Sequence, residues 1–348
     1  MSGVAVVRDL LVGVDVGGSK IAVLVADKGL SPRGRYTLPT TVGAPARAAD
    51  VVVGAIAAAV GDAGATVDSI AGVGIGVPGR VDPLNGTVSL AVNLGWNDLE
   101  LGTPVAERLG APVRIENDVR AAAAGLHERG VLGDVADLAY LSIGTGIAAG
   151  VVLDGRLHRG VRGLAGEIGH VVVDAAGPTC PCGLRGCLET LAAGPAVARR
   201  AAAAIAAGGT SSLAALGDLT AADVYEAAAA GDTLAAEIAA DVGAHIARAV
   251  HLLVMTYDVE VVVIGGGVAG AGDAFLDPIL RALDRLRDAS ALAREVLRPG
   301  VVHLLPSGSE AGAWGAVTLA RAAASGERPS PAAADRLSPV EGREVGDE

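Results

Sequence analysis

The sequence predicts an α/β protein with an internal duplication, and three observations carry that expectation. The first is "LLVGVDVGGSKIAVLVAD" at residues 10–27, where two apolar runs flank a glycine-rich turn, the pattern of strand, turn and strand. The second is a further copy of this pattern, "LAYLSIGTGIAAGVVLDG" at 138–155; Asp15 set against Ser142 and Asp27 against Asp154 give the same 127-residue offset. The third is alternation. Helical stretches at 46–64, 117–130, 194–209 and 235–256 are separated by short β-type runs such as "GVGIGV" and "VEVVVIGG".

Composition bounds the function. A chain of 348 residues exceeds the usual single-domain size, so two domains or one large duplicated fold are expected. Hydrophobic residues make up 51% of the chain and aromatic ones 2%, so Ala, Val, Leu and Ile must build the core. The net charge of −12 gives no footprint for a polyanion, which argues against nucleic acid and anionic membranes as partners. No long uncharged apolar run suggests a spanning helix, and Asp9 and Asp15 interrupt the stretch a signal peptide would need, so a cytoplasmic protein is expected. From Ser325 onward, Pro and charge without apolar period read as a disordered tail, 325–348.

Three glycine-rich loops suit phosphates. In "DVGGSK", Gly17 and Gly18 allow a tight turn whose amides approach a phosphate, Ser19 and Lys20 add donors, and Asp15 at a strand end can hold magnesium. An ordinary hairpin turn would look the same. Gly144, Thr145 and Gly146 repeat the offer, so two loops can hold one triphosphate. Gly265, Gly266 and Gly267 follow an apolar strand, where missing side chains would let a flat base lie against the backbone. GxxxxGK[ST] does not occur, which disfavours a P-loop, and a dinucleotide fold is not expected.

In "RIENDVRAAAAG", Asn117 and Asp118 lie where a strand meets a helix. Either a helix cap worth about 1 kcal/mol or a carboxylate that accepts a proton from an alcohol fits that place. The chain's three cysteines all fall in "TCPCGLRGC", and His170 precedes Cys180, Cys182 and Cys187. One imidazole and three thiolates match a closed tetrahedral zinc site, whose filled fourth position makes the ion structural. A redox pair is the rival reading, against which Cys180 and Cys182 are separated by one residue rather than two. Clamping His170 and Cys187 on one ion would bring Glu167 and Glu189 to one rim, with the second imidazole nitrogen left to donate to a hydroxyl.

From about residue 10 to about 322, "VDVGGSK", "GVGIGVPGRVD", "NLGW", "ENDVRAAAAG", "SIGTGIAAG", "GEIGH", "CPCGLRGCLE" and "IGGGV" occur in the order that resembles the ROK family of repressors and sugar kinases, within the sugar kinase, Hsc70 and actin superfamily. Ser19 stands where Thr is commoner in that family. The resemblance implies a duplicated ribonuclease H-like (actin-like ATPase) fold of two lobes around a central cleft. It implies a small α/β domain of residues 1–130 plus 310–324, with the first phosphate loop and a catalytic aspartate. A large domain, 131–309, would hold the second phosphate loop, the zinc site and the adenosine-binding glycines. Carried over, Asp118 resembles the general base, while Asn117, Glu167, His170 and Glu189, with Asn93 and Gly79 as further candidates, resemble the residues that hold sugar hydroxyls. The implied cofactors are structural Zn2+ and Mg2+ with ATP, and a homodimer or homotetramer is implied.

The expected function is therefore ATP-dependent phosphorylation of the 6-hydroxyl of glucose. N-acetylmannosamine and N-acetylglucosamine are alternatives, since Arg80 after Gly79 can contact an N-acetyl group, and polyphosphate is an alternative donor. Regulators that resemble this chain carry a DNA-binding segment before the first hairpin. Here the first strand begins by residue 10, so none is expected, and the remaining alternative of that kind is a sugar-sensing regulator lacking a DNA-binding domain. A catalytically silent ATPase would have no use for a rim that reads hydroxyls.

Overall fold

The computed structural model describes residues 7–40 and 45–327, and every structural statement concerns these. The expected tail lies, from residue 328, outside them. The chain divides into two compact units: residues up to Asn117 with Arg159–Ala165 and residues from Leu319, and Asp118–His158 with Gly166–Thr318. The crossings expected near 130 and 310 thus compare with divisions after Asn117 and Thr318. Asp118, expected in the same domain as the first hairpin, opens unit 2.

Unit 1 contains β1 (Leu10–Val16), β2 (Lys20–Asp27), β3 (Pro32–Pro39), α1 (Ala48–Asp62), β4 (Ile70–Val77), β5 (Arg80–Asp82), β6 (Thr87–Ala91), β7 (Trp96–Glu100), α2 (Gly102–Leu109) and β8 (Val113–Asn117). Five strands form a sheet in the order β3-β2-β1-β4-β8, and β5-β6-β7 form a separate antiparallel sheet. β1, β4 and β8 run parallel, which leaves their carboxyl ends on one edge. β1 and β4 are buried nearly throughout, as central strands covered on both faces must be, and this explains their unbroken apolar runs. On one face Val12, Val14 and Ile75 meet Val52, Ile56 and Ala59 of α1 in one core.

Unit 2 contains α3 (Asp118–Glu128), β9 (Leu138–Ile143), β10 (Ile147–Leu153), β11 (Arg156–His158), α4 (Leu188–Ala192), α5 (Gly194–Ala206), α6 (Ala221–Ala229), α7 (Thr233–Tyr257), β12 (Val261–Gly265), α8 (Asp273–Ala289), α9 (Ala291–Val296) and β13 (Val302–Leu304). A last helix, α10 (Ala311–Ala324), contributes its first half to unit 2 and its second half to unit 1. The sheet runs β11-β10-β9-β12-β13. Alternate residues of its central strands enter two cores: Ala139, Leu141, Val262 and Ile264 pack with α5 to α9, while Leu138, Tyr140, Val261 and Val263 pack with Ala122, Ala123 and Leu126 of α3.

The two sheets repeat each other strand for strand. β2-β1 and β10-β9 are antiparallel hairpins, and β4 and β12 pair parallel with the first strand of each. The constant offset of 127 residues does not survive the turn. Val16 pairs with Ile21, leaving four residues between them, whereas Ile143 pairs with Ile147, leaving three. The second hairpin is one residue shorter, so Ile147 rather than Ala148 corresponds to Ile21. Both are buried, consistent with a one-residue slip exchanging the faces of a strand.

One expectation about membranes also changes. α7 is by length and composition apolar enough to cross a bilayer, although no such run was expected. Val242, Ile246, Val250 and Leu253, spaced along one side, are buried in the unit 2 core, which makes α7 a core helix.

Close backbone approach ties the second half of α10 to the unit 1 sheet. A Cβ on Gly72 would lie 2.3 Å from the Ala320 carbonyl oxygen. Gly72→Ala is therefore expected to destabilise the protein by about 1–3 kcal/mol, the range for overpacking. A shift of the urea midpoint measures it.

Candidate functional site

In unit 1 the first glycine loop closes with the Gly17 N–H donating to the Lys20 carbonyl at 2.8 Å. Thr40, which the sequence reading did not single out, braces it: its hydroxyl donates to Gly17 O at 2.7 Å and its N–H to Ser19 O at 3.0 Å. Gly18, Ser19 and Lys20 are exposed, and nothing lies within 4 Å of a Cβ built on Gly18. Asp15 lies at the carboxyl end of β1, opposite Gly76 of β4. Asn93 is exposed on a short 3-10 turn, Val92–Leu94, that precedes the buried Trp96.

Asn117 is buried, and its Nδ2 donates to Gly79 O at 3.1 Å. Gly79 has φ 88°, and a Cβ there would stand 2.1 Å from Leu90 O, so only glycine fits this turn. Glu116 beside it is fully buried. Its Oε2 accepts from Arg159 Nε at 2.6 Å and its Oε1 from the Asn117 N–H at 2.9 Å. A buried carboxylate requires such a partner. The two residues are 43 positions apart, and nothing local in the sequence pairs them.

Unit 2 gathers the remaining candidates. The second glycine loop closes with the Gly144 N–H donating to Gly146 O at 2.9 Å, and the Gly194 N–H donates to Gly144 O at 2.8 Å. Ser142 and Gly265 are paired on adjacent parallel strands, so the loop and the third glycine cluster sit together at their carboxyl ends. Open α/β sheets place ligands there. The three glycines of that cluster are not equivalent. A Cβ on Gly265 would lie 2.7 Å from the Tyr140 hydroxyl, and one on Gly266, with φ 91°, would lie 2.4 Å from Ile143 O. Their missing side chains serve internal packing, which corrects the expectation of three glycines facing a base. Gly267 alone has open space.

The "GEIGH" segment lies directly on β10. A Cβ on Gly166 would come within 1.8 Å of Ala149 O, and one on Gly169 within 2.1 Å of Ile147 O. The Ala149 N–H donates to Gly166 O at 2.7 Å. The contact fixes Glu167 and the short 3-10 turn that ends at His170. Glu189, in the first turn of α4, accepts from the Ile147 N–H through Oε2 at 3.0 Å.

His170, Cys180, Cys182 and Cys187 come together with all donor atoms within 4.8 Å of one another. His170 Nδ1 is 3.6 Å from Cys180 Sγ, and Cys182 Sγ is 3.6 Å from Cys187 Sγ. A tetrahedron with metal–donor bonds of about 2.0–2.3 Å has edges of about 3.5–3.8 Å, so the set fits a dication. The thiols are unlike one another. Burial pushes Cys187 up to about 12, whereas the Leu184 amide, then Cys180, draw exposed Cys182 down to about 7. The loop they close is a small knot of backbone bonds, including Cys180 N–H to Leu184 O at 2.7 Å and Gly186 N–H to Pro178 O at 2.8 Å. Most of its side chains between Val171 and Arg185 are exposed. With little apolar burial, such a loop depends on a cross-link for its shape.

Asp118 is the first residue of α3, and its Oδ1 accepts from the Val119 N–H at 2.9 Å. Burial pushes its carboxyl up to about 6, with Glu167 adding to the rise against the lowering from the Val119 amide and Arg120. The structure makes Asp118 a stronger base that is still ionised at neutral pH.

The family whose sequence pattern matches the chain is the ROK family, over residues 11–323. A glucokinase of Halalkalibacterium halodurans is 32% identical over 290 residues, covering 80% of this chain and 88% of that protein. Among solved structures, a ROK family glucokinase from Streptomyces griseus in complex with glucose and AMPPNP is 32% identical, with a TM-score of 0.71, and the match covers 90% of this chain and 99% of that one. A ROK family transcriptional regulator, homologous to the E. coli MLC protein, is 26% identical, with a TM-score of 0.78 and coverage of 91% and 79%.

Two predictions follow from this geometry. Cys182→Ala is expected to lose bound zinc, read by elemental analysis, and to lower the thermal midpoint; full metal content in the variant contradicts the ligand set. Asp118 has a folded pKa of about 6, above its unfolded value, so ionising it opposes folding as pH rises between the two. Asp118→Asn should therefore be more stable than the parent by about 1–3 kcal/mol at pH 8, with the gain vanishing near pH 4, in paired denaturant titrations.

Proposed function

Because the chain belongs to the ROK family, we propose that it is an ATP-dependent hexose kinase that phosphorylates the 6-hydroxyl of glucose with Asp118 as general base. The observation that carries this reading is a carboxyl with a pKa of about 6 at the start of α3, in the same unit as Glu167, His170, Glu189 and the loop Gly144–Gly146. The glucose and AMPPNP in the Streptomyces griseus relative support the choice of sugar and donor.

In this reading Asp118 takes the proton of the sugar hydroxyl while that oxygen attacks the γ-phosphorus. The bond to the bridging oxygen breaks and ADP leaves. Phosphoryl transfer needs positioning and charge neutralisation more than covalent help. The Gly144–Gly146 turn would present amides to the phosphates. In unit 1 the Gly17–Lys20 turn offers the same kind of amides, and Asp15 a carboxylate suited to magnesium. Gly267 would border the base. Glu167, His170 Nε2 and the second oxygen of Glu189 would read the other hydroxyls in unit 2, and Asn93 and Asn117 are the hydroxyl-reading candidates of unit 1. Zinc would be held by His170, Cys180, Cys182 and Cys187, and it supplies a structural cross-link.

A second reading of the acceptor, an N-acetylated hexosamine, is favoured by the exposed Arg80 that follows Gly79. Regulation of transcription is a further reading, supported by the likeness to the MLC homologue.

A coupled ADP-release assay over a panel of hexoses and N-acetylhexosamines decides among them. Glucose is expected to give the highest kcat/KM, and no turnover with any sugar overturns the kinase reading. Asp118→Asn should lower kcat by about a thousandfold, the scale of general-base catalysis, with sugar binding retained. In the parent, kcat/KM should fall tenfold per unit as pH drops below about 6, because protonated Asp118 cannot accept the hydroxyl proton.

A further inference from the structure

Ile147, the first residue after the second glycine loop, is gripped from both ends of the four-ligand cluster. Its N–H donates to Oε2 of Glu189, which lies two residues beyond Cys187. Its carbonyl oxygen lies against Gly169, the residue before His170, closely enough that any side chain there would collide with it. The loop is shaped for the first of these contacts. A Cβ on Gly146 would stand 2.5 Å from Glu189 Oε2, so the absence of a side chain lets the carboxylate reach the amide. A further contact comes from the same helical segment: after α4 the Gly194 N–H donates to Gly144 O at 2.8 Å. Both ends of the loop Gly144–Gly146 are therefore held by the chain that leaves Cys187.

We infer that Glu189 is a positioning residue for the second glycine loop, transmitting to the nucleotide phosphates the geometry that the cysteine–histidine cluster imposes. The inference rests on the kinase reading above and goes beyond it, because it assigns the two carboxylate oxygens to different tasks. Oε2 is committed to the Ile147 amide, and Oε1 is left for a sugar hydroxyl. A hydroxyl-reading carboxylate alone would have no bearing on nucleotide affinity. A carboxylate that holds the loop amide sets the loop's shape before any sugar arrives.

The test uses the full chain without sugar. Affinity for a non-hydrolysable ATP analogue with magnesium is measured by calorimetry for the parent, Glu189→Ala and Glu189→Gln, each with its zinc content checked. Alanine removes the acceptor and should weaken binding about 5–20-fold, the scale of losing a charge-assisted hydrogen bond that orders a loop. Glutamine keeps an acceptor for the amide and should bind within about twofold of the parent. Chelation of the metal should weaken analogue binding by the parent but add little to the alanine variant, because the two act along one path. Equal affinity of the alanine variant and the parent overturns the inference.

Amide hydrogen exchange at Ile147 without ligand gives a second readout. It should accelerate in Glu189→Ala and stay near the parent rate in Glu189→Gln. Unchanged exchange in the alanine variant also overturns the inference. If the parent binds no nucleotide, the kinase reading fails, and the exchange result alone decides whether Glu189 holds the loop.

Discussion

What unit 2 offers a ligand depends on two places where backbone touches backbone, Gly166 on Ala149 and Gly169 on Ile147. A side chain at either glycine would lift the loop from β10 by more than the contact allows, since the built Cβ positions fall far inside any real carbon–oxygen approach. Loop and strand then act as one surface. Glu167 and His170 stand on it at heights fixed by the strand, and the Ala149 N–H to Gly166 O bond keeps the loop from sliding. The same contact brings His170 to the three sulfurs, so the cluster inherits its placement from the sheet rather than from the exposed loop that carries the cysteines.

Around that surface the electrostatics favour a carboxylate that is basic without being neutral. Burial and Glu167 raise Asp118, whereas the Val119 amide and Arg120 restrain the rise, and the balance settles at about 6. A free carboxylate near 4 would be a weaker proton acceptor by about two pH units of driving force, and one pushed above 8 would be protonated at neutral pH. Glu116 solves the opposite problem one peptide link away from Asn117. Arg159 and the Asn117 amide keep its fully buried charge satisfied, which fixes the end of β8 from which Asn117 reaches Gly79.

Features with a local period were legible in the sequence. The hairpins, β4, β12 and the helices α1, α3, α5 and α7 follow from apolar spacing and flanking glycines, and the cysteine–histidine set follows from donor types at close spacing. Features that depend on what packs opposite were not. The Glu116–Arg159 pair joins residues no pattern relates. Gly265 reads as a ligand-facing glycine until Tyr140 is seen filling its place. The shorter second turn was hidden because Asp27 and Asp154 match by residue type, although the pairing of Ile143 with Ile147 displaces them. The sheet β5-β6-β7 is built from strands of three and five residues, too short for a period to appear.

The duplication explains why the two glycine loops are alike in sequence and unlike in support. Each turn needs something besides its own two strands to hold its carbonyl groups, because a glycine-rich turn has no side chains with which to pack itself. In the first hairpin the brace is Thr40, just after the neighbouring strand β3, so the sheet steadies its own loop. In the second, β11 is a strand of only three residues, and the brace comes from Glu189 and Gly194, beyond the cysteine loop. The repeated frame thus left the second loop without the edge strand that serves the first. The segment after β11 does that task instead, and within it His170, Cys180, Cys182 and Cys187 come together. The loop that resembles a plain copy of the first is for this reason the one held by the chain that leaves the cysteine–histidine cluster.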